Sequence, residues 1–341
     1  MRRATLPIVV AMALVSVAFA AAGPTAAGVA SPVHGADAGC GTGLVVVADG
    51  LCTHGGDRVP PTVEGAATRA ATAARSEPSE LCAGNGRNGR RIRVFYGYPI
   101  DTVSRATTFR TWVRDSVAMA DANLDAQTPG IDGQHLRMYC KNGRRVTVSS
   151  IELLPIGDTA FTFTDMIGSL EDRVTHGLGD ADFDTPRFTY VVFVDNVTCC
   201  YGPGGQGTIY WDDRGDPAVN LNNQAVYGPR FAMVKIAGSI SSGAYIFLHE
   251  VGHTLGAVQL SAPHTSGAGH CYEADDVMCY PDGGPWFDGG GVMVDTCDPM
   301  PDGQHPFDCD GGDYYEVDPV PGSYLAGAWN TADSGWLTKP G

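Results

Sequence analysis

Several features that would place the chain in a common class are missing from the 341-residue sequence. There is no C-x-x-C pair, which argues against a structural zinc site built from four cysteines. Basic residues are few, since 22 Lys and Arg stand against 38 Asp and Glu and give a net charge of -16. A protein this acidic repels nucleic acids and anionic lipid surfaces, so neither is an expected partner.

Long apolar runs are also missing after the first segment, so we expect no stable membrane association. The first segment has two arginines before an apolar run from Leu6 to about Ala22, which ends in small residues. This pattern predicts a secretory signal peptide over residues 1–22 and therefore a secreted, extracellular protein. A membrane anchor is the alternative, but the run is short for a bilayer and contains Pro7.

Ten cysteines in an exported chain predict disulfide bonds. Short loops favour two of the pairs, and a third pair would tie the first strand region to a later one. The favoured pairs are Cys40–Cys52, Cys82–Cys140 and Cys297–Cys309. The sequence does not pair the other four cysteines, which are Cys199, Cys200, Cys271 and Cys279.

Residues 23–81 are rich in Ala, Gly, Pro and Thr, which is typical of a linker or a propeptide. Residues 82–341 alternate between strand and helix patterns and predict one domain of α/β (α+β) class with a mostly parallel sheet. Its Gly-, Asp- and Pro-rich C-terminal part should form loops held by cysteines. The predicted strands are 92–96, 145–154, 190–194, 207–211 and 231–236. One helix is predicted at 104–123, and a second is predicted to be capped by Thr164 and to carry Ile167, Leu170 and Val174.

The segment 245–256 predicts a buried helix of about three turns, because apolar residues surround its polar ones. It contains the sequence His249-Glu250-Val251-Gly252-His253. Residues four apart share a helix face, so the two histidines can present imidazole nitrogens to one ion at about 2.0–2.1 Å. Candidate N-caps are Ser241 and Ser242, and the candidate stop is Gly256.

These residue types suit hydrolysis at a zinc ion. Neutral imidazoles leave the ion strongly Lewis-acidic, and the pKa of its water then falls to about 7. Glu250 stands about 100° around the helix from His249, where it can take a proton from that water and pass it to a leaving amine. The alternative interpretation is two histidines on an ordinary helix, but buried polar side chains need partners.

The sequence from His249 to Gly256 resembles the start of the metzincin motif, HExxHxxGxxH. The downstream Asp276-Val277-Met278-Cys279-Tyr280 is similar to the methionine turn of that family, with tyrosine placed as in astacins and serralysins. The resemblance covers about residues 91–280 and implies a secreted zinc metallopeptidase of bacterial type with a metzincin-like fold. It also implies Met278 as the apolar floor of the site, and Tyr280 as a fifth ligand or oxyanion stabiliser.

The chain departs from the family at the expected third histidine, where it has Gln259. An amide is a poor zinc ligand, so the third ligand must come from a longer loop. His270 is preferred, because Gly267 and Gly269 let the chain fold back and Cys271 can fix the ring. His264 is the alternative, ahead of Asp275 and Asp276.

Two further features bear on ions and latency. A run of aspartates makes Ca²⁺ a second candidate cation, but the spacing matches no EF-hand loop and a solvated acidic loop is the favoured interpretation. These aspartates are Asp295, Asp298, Asp302, Asp308, Asp310 and Asp313. A free Cys52 thiolate in a propeptide would block the zinc, but pairing with Cys40 is the simpler interpretation.

The sequence therefore predicts a secreted zinc endopeptidase that acts on protein or peptide substrates, with Glu250 as general base. Two alternatives stay open. One is a non-catalytic secreted zinc-binding protein of the same fold, and the other is a zinc hydrolase that acts on cell-wall peptides or esters.

Overall fold

The computed structural model describes residues 40–48, 50–58, 75–128, 132–154, 161–175, 183, 185–195, 203–224, 228–236, 238–300 and 304–339. All of them belong to one compact unit of the chain, His34–Gly341. The predicted signal peptide, residues 1–22, lies outside the described residues. No helix among the described residues is long and apolar enough to cross a membrane.

Eight strands and five α-helices make up the regular structure of the described residues, together with a 3₁₀ helix, Thr331–Asp333. The strands are β1 Val45–Ala48, β2 Leu51–Thr53, β3 Asp57–Arg58, β4 Arg91–Pro99, β5 Val148–Leu153, β6 Phe188–Val194, β7 Pro203–Gly207 and β8 Arg230–Lys235. The helices are α1 Pro78–Leu81, α2 Ala106–Asp125, α3 Phe163–Thr175, α4 Ile240–Leu255 and α5 Pro285–Asp288.

Six strands form one sheet in the order β3-β7-β8-β6-β4-β5, and β1 pairs with β2 in a separate hairpin. Strands β5, β4, β6 and β8 are parallel, whereas β7 runs antiparallel to β8 and β3 antiparallel to β7. Every residue of β6 is buried, as expected for a continuous apolar run in the middle of a parallel sheet.

Helices cover both faces of this sheet. Val191 and Phe193 of β6 pack in one cluster with apolar residues of α2 and α4. Tyr190 and Val192 point to the opposite face, because side chains alternate along a strand, and they pack in a second cluster with α3. The predicted α/β class with a mostly parallel sheet and a loop-rich C-terminal part is confirmed.

The three predicted disulfide bonds are confirmed, and Cys271 pairs with Cys279. Cys199 and Cys200 lie outside the described residues. The strand predicted at 207–211 is wrong, because β7 ends where that prediction begins. The apolar side chains of Ile209 and Tyr210 are buried without a strand, whereas the strand itself has the sequence PGGQG and no apolar pattern.

Candidate metal centre

Helix α4 carries the His249–His253 segment through the core of the protein. Ser239 caps its N-terminus by accepting a hydrogen bond from the Ser242 N–H at 3.2 Å. The predicted cap at Ser241 or Ser242 is therefore wrong, because the helix begins two or three residues earlier. Gly256 ends the helix in the left-handed region with φ of 87°, as its sequence position predicted. Every residue from Ser241 to Leu255 is buried, so its polar side chains meet protein rather than solvent.

The imidazole rings of His249 and His253 converge on one side of the helix. Their Nε2 atoms lie 3.1 Å apart. His249 Nδ1 lies 2.7 Å from the Val277 carbonyl oxygen, which can only accept, so Nδ1 donates to it and Nε2 faces His253. A backbone carbonyl that orients an imidazole in this way is the usual second contact of a metal-binding histidine.

His270, from the loop after α4, lies beside these two histidines, with ring centroids 5.3 Å from His249 and 5.0 Å from His253. Its Nδ1 lies 2.9 Å from Asp282 Oδ2, so the carboxylate fixes the ring and directs Nε2 towards the other histidines. The ring is fully buried and lies next to Cys271, whose disulfide bond to Cys279 closes the loop. The positive φ of Gly267 and Gly269, 83° and 102°, shows the reversal of the chain that their sequence positions predicted.

His54 and Asp57 of the N-terminal segment also lie beside these imidazoles, although the sequence analysis predicted no metal ligand in that segment. Asp57 Oδ2 lies 3.5 Å from His249 Nε2 and 3.6 Å from His253 Nε2, and Asp57 Oδ1 lies 2.8 Å from His270 Nε2. His54 Nε2 lies 3.5 Å from Asp57 Oδ2. We call these five residues, His54, Asp57, His249, His253 and His270, the histidine site.

Strand pairing brings Asp57 there. Strand β3 pairs antiparallel with β7, with Asp57 opposite Gly205. Leu51, Cys52 and Thr53 of β2 are also buried, and the Cys52 carbonyl oxygen accepts a hydrogen bond from the Ile209 N–H at 2.9 Å, so β2 packs against the domain. Their partners in space are distant in sequence, which is why the segment has no sequence signal beyond two ligand-type side chains, His54 and Asp57, in a region otherwise rich in small residues.

The histidine site fits a metal ion. Tetrahedral ligands at about 2.0–2.1 Å from zinc lie roughly 3.3 Å apart, close to the separations of the Nε2 atoms of His249 and His253 from each other and from Asp57 Oδ2. Several buried polar atoms here have no hydrogen-bond partner among the described residues, which is costly unless an ion fills the gap. They are His54 Nε2, Asp57 Oδ2 and both carboxylate oxygens of Glu250.

The electrostatics differ among the histidines. Burial lowers the pKa of His54 to about 3 and the pKa of His253 well below its usual value, so both imidazoles are neutral as metal ligands must be. Burial also acts to lower the pKa of His270, but the Asp57 and Asp282 carboxylates outweigh it and raise that pKa to about 9. Burial raises the pKa of Glu250 well above its usual value, and the nearby Asp57 carboxylate raises it further.

Glycines of β7 make the space for Glu250. A Cβ on Gly205 would meet Glu250 Oε1 at 2.3 Å, and a Cβ on Gly207 would meet the Glu250 carbonyl oxygen at 2.7 Å. Only a strand without side chains at these positions can lie this close to the helix. Because glycines give no apolar alternation, the sequence did not predict β7 as a strand.

Met278 and Tyr280 also lie at the site. Met278 is fully buried, and a Cβ on Gly252 would meet its sulfur at 2.6 Å, so the methionine packs against the helix turn between the two histidines. The Tyr280 hydroxyl donates a 2.6 Å hydrogen bond to Asp57 Oδ1, and its ring centroid lies 4.4 Å from that of His270.

The remaining candidates are placed elsewhere. Gln259 is buried, donates to the carbonyl oxygens of Tyr210 and Gly256, and accepts from the Asp212 N–H, so its amide serves the backbone. His264 lies beside Asp313 and Glu273. His270 is therefore the sequence-derived third-ligand candidate that the structure brings to His249 and His253.

Comparison with known proteins gives little guidance. No protein family model matches the chain, and no curated protein does. Among solved structures, metalloproteinase-II from Bacteroides fragilis is similar over 63% of this chain and 53% of that chain, with 13% identity and a TM-score of 0.28. The chain thus matches about half the length of that protein, and a likeness this weak adds nothing to the argument from the site.

Proposed function

We propose that the chain is a secreted zinc endopeptidase that hydrolyses peptide bonds. One observation carries the proposal: His249, His253, His270 and Glu250 are all buried, the Nε2 atoms of His249 and His253 lie 3.1 Å apart, and donor atoms of His270 and His253, and of Glu250 and His249, lie within 4.8 Å of each other. Three imidazoles with an open fourth position are typical of catalytic zinc sites, whereas structural sites are closed by four protein ligands.

In this proposal His249, His253 and His270 hold the ion, and Val277 and Asp282 orient two of the rings. When bound, the ion supplies Lewis acidity and an activated water. Glu250 acts as the general base and later delivers the proton to the leaving amine. Tyr280, whose hydroxyl points into the site, is placed to donate a hydrogen bond to the oxyanion of the substrate.

Residues 40–58 would block this reaction, since the Asp57 carboxylate lies between the histidines where water and substrate must enter. We therefore propose that residues 23–81 include an inhibitory propeptide, as their composition suggested. Its removal takes away His54 and Asp57 together and leaves three imidazoles and an open position.

The proposed substrate class follows from the same strand. With β3 removed, β7 becomes the edge of the sheet next to Glu250, and its backbone groups can pair with an extended peptide. An ester or a compact cell-wall fragment would not use those hydrogen bonds. The geometry therefore favours a protein substrate bound in extended form.

The test uses the secreted chain in its unprocessed and processed forms, with zinc content and cleavage of casein and of short peptide and ester substrates measured in parallel. Glu250→Gln should retain zinc while turnover falls by about 10²–10⁴-fold, because the general base is lost. Glu171→Gln, an exposed change on α3, is the matched control. Unchanged turnover in the Glu250 variant, or absence of zinc from the wild-type protein, would overturn the proposal.

A further inference from the structure

A second group of ionisable side chains lies apart from the histidine site. Glu273 belongs to the loop closed by the Cys271–Cys279 disulfide bond, and the aspartates belong to the C-terminal part. Donor atoms of His264, Glu273 and Asp310 all lie within 4.8 Å of one another. We call the group formed by His264, Glu273, Asp308, Asp310 and Asp313 the carboxylate site.

The contacts within the carboxylate site are short. His264 Nδ1 lies 3.2 Å from Glu273 Oε1 and 3.2 Å from Asp313 Oδ2, and the His264 backbone N–H donates to Asp313 Oδ1 at 3.0 Å. Asp308 accepts hydrogen bonds from the backbone N–H groups of residues 313–315 and so folds the loop that carries Asp310 and Asp313.

The carboxylates of this site outnumber the one imidazole beside them, that of His264. Glu273 is fully buried, and while its Oε1 lies beside His264 Nδ1, its Oε2 has no hydrogen-bond partner among the described residues, and the same holds for Asp308 Oδ1. Within the described part of the chain, no lysine or arginine forms an ion pair with any of these carboxylates. Burying such a carboxylate without a counter-charge is costly.

We infer that Glu273, Asp310 and Asp313 bind a divalent cation with a preference for oxygen ligands, and that this cation is Ca²⁺. Calcium takes six to eight oxygen ligands in flexible geometry, so an exposed Asp310 and solvent can complete a shell that two buried carboxylates begin. Zinc prefers nitrogen and sulfur donors, of which this group offers only the His264 imidazole.

A cation here would stabilise the loop that presents His270. Asp276, in the same disulfide-closed loop as Glu273, accepts hydrogen bonds from the Met278 N–H at 2.6 Å and from the Tyr314 hydroxyl at 2.8 Å. Its second oxygen accepts from the Cys309 N–H at 2.7 Å. The loop between His270 and Met278 is therefore joined to the segment that carries Asp310 and Asp313.

The experiment measures ⁴⁵Ca²⁺ binding by equilibrium dialysis of the full chain, and the melting temperature with and without Ca²⁺, in metal-depleted buffer with zinc content recorded alongside. The variants are Glu273→Gln and Asp310→Asn, with the exposed Asp298→Asn as matched control. Asp310 is exposed, so its variant reports on binding even where the buried Glu273 variant does not fold.

We expect the wild-type protein and Asp298→Asn to bind one Ca²⁺ per chain and to melt about 5 °C higher with saturating Ca²⁺. Each site variant should bind Ca²⁺ at least about tenfold more weakly and lose most of the shift, with zinc content unchanged. No Ca²⁺ bound at millimolar concentration, wild-type affinity in Asp310→Asn, or a second zinc in place of calcium would overturn the inference. None of these outcomes depends on peptidase activity.

Discussion

The histidine site and the carboxylate site differ in donor atoms although both are buried and both contain polar atoms without partners. Imidazole nitrogens dominate the first, and carboxylate oxygens dominate the second. The loop from Cys271 to Cys279 adjoins both sites, since His270 of the histidine site directly precedes it and Glu273 of the carboxylate site lies within it. The two proposals together place ions of different chemistry around one short covalently closed loop, zinc at the histidine site and calcium at the carboxylate site.

The largest expected effect is the difference in zinc content between a variant of the histidine site and a variant of the carboxylate site. His253→Ala removes a direct zinc ligand, so zinc per chain after dialysis should fall from about one to near zero and peptide cleavage should disappear with it. His264→Ala should keep full zinc occupancy, because His264 lies beside Glu273 and Asp313. Elemental analysis of both variants checks this, and equal zinc loss would erase the distinction between the sites.

The next effect concerns the carboxylate that intrudes into the histidine site. Asp57→Ala removes the group that lies among the three imidazoles and should raise cleavage by the unprocessed chain at least about tenfold, which corresponds to about 1.4 kcal/mol. After proteolytic removal of residues 23–81, the variant and the wild-type protein should be indistinguishable. An unprocessed variant as inactive as the wild type would show that Asp57 does not block the site.

A smaller effect tests the group that orients His270. Asp282→Asn weakens the acceptor for His270 Nδ1 and should lower zinc affinity by about 10–100-fold, without abolishing binding. Competition with a chromophoric zinc chelator measures this change. Asp288→Asn, exposed on α5, is the control, and a loss of affinity common to both variants would indicate a general charge effect.

The smallest effect concerns packing under the histidine site. Gly252→Ala places a Cβ 2.6 Å from the Met278 sulfur and should cost about 1–3 kcal/mol of unfolding free energy. Gly168→Ala on α3 meets nothing within 4 Å and should stabilise the protein by about 0.5–1 kcal/mol, since alanine favours helices. Urea denaturation compares the two variants, and equal effects would contradict close contact between Met278 and α4.

The sequence was informative where the determinants are local. A helix of known periodicity places His249, Glu250 and His253 relative to one another, and Gly256 ends it, so these positions followed from spacing alone. The α/β class followed from alternating patterns in the same way. The helix start was misplaced by two or three residues, because several serines compete for the cap at 239–242.

Features that depend on distant pairing escaped sequence reasoning. Asp57 reaches the site because β3 pairs with β7, and β7 is a glycine-rich strand with no apolar alternation. Glu273 and Asp313 meet because a disulfide-closed loop packs on the C-terminal segment, and no spacing rule connects them. Aspartates in the tail made calcium a candidate, but the contribution of the buried Glu273 could be found only in three dimensions.

The most direct measurement is an anomalous-diffraction experiment at the zinc absorption edge on crystals of the processed protein. The account predicts one zinc ion at about 2.0–2.1 Å from the Nε2 atoms of His249, His253 and His270, with Glu250 beside it and unligated. A zinc ion held by fewer than three of these imidazoles, or no zinc at this position, would contradict the account.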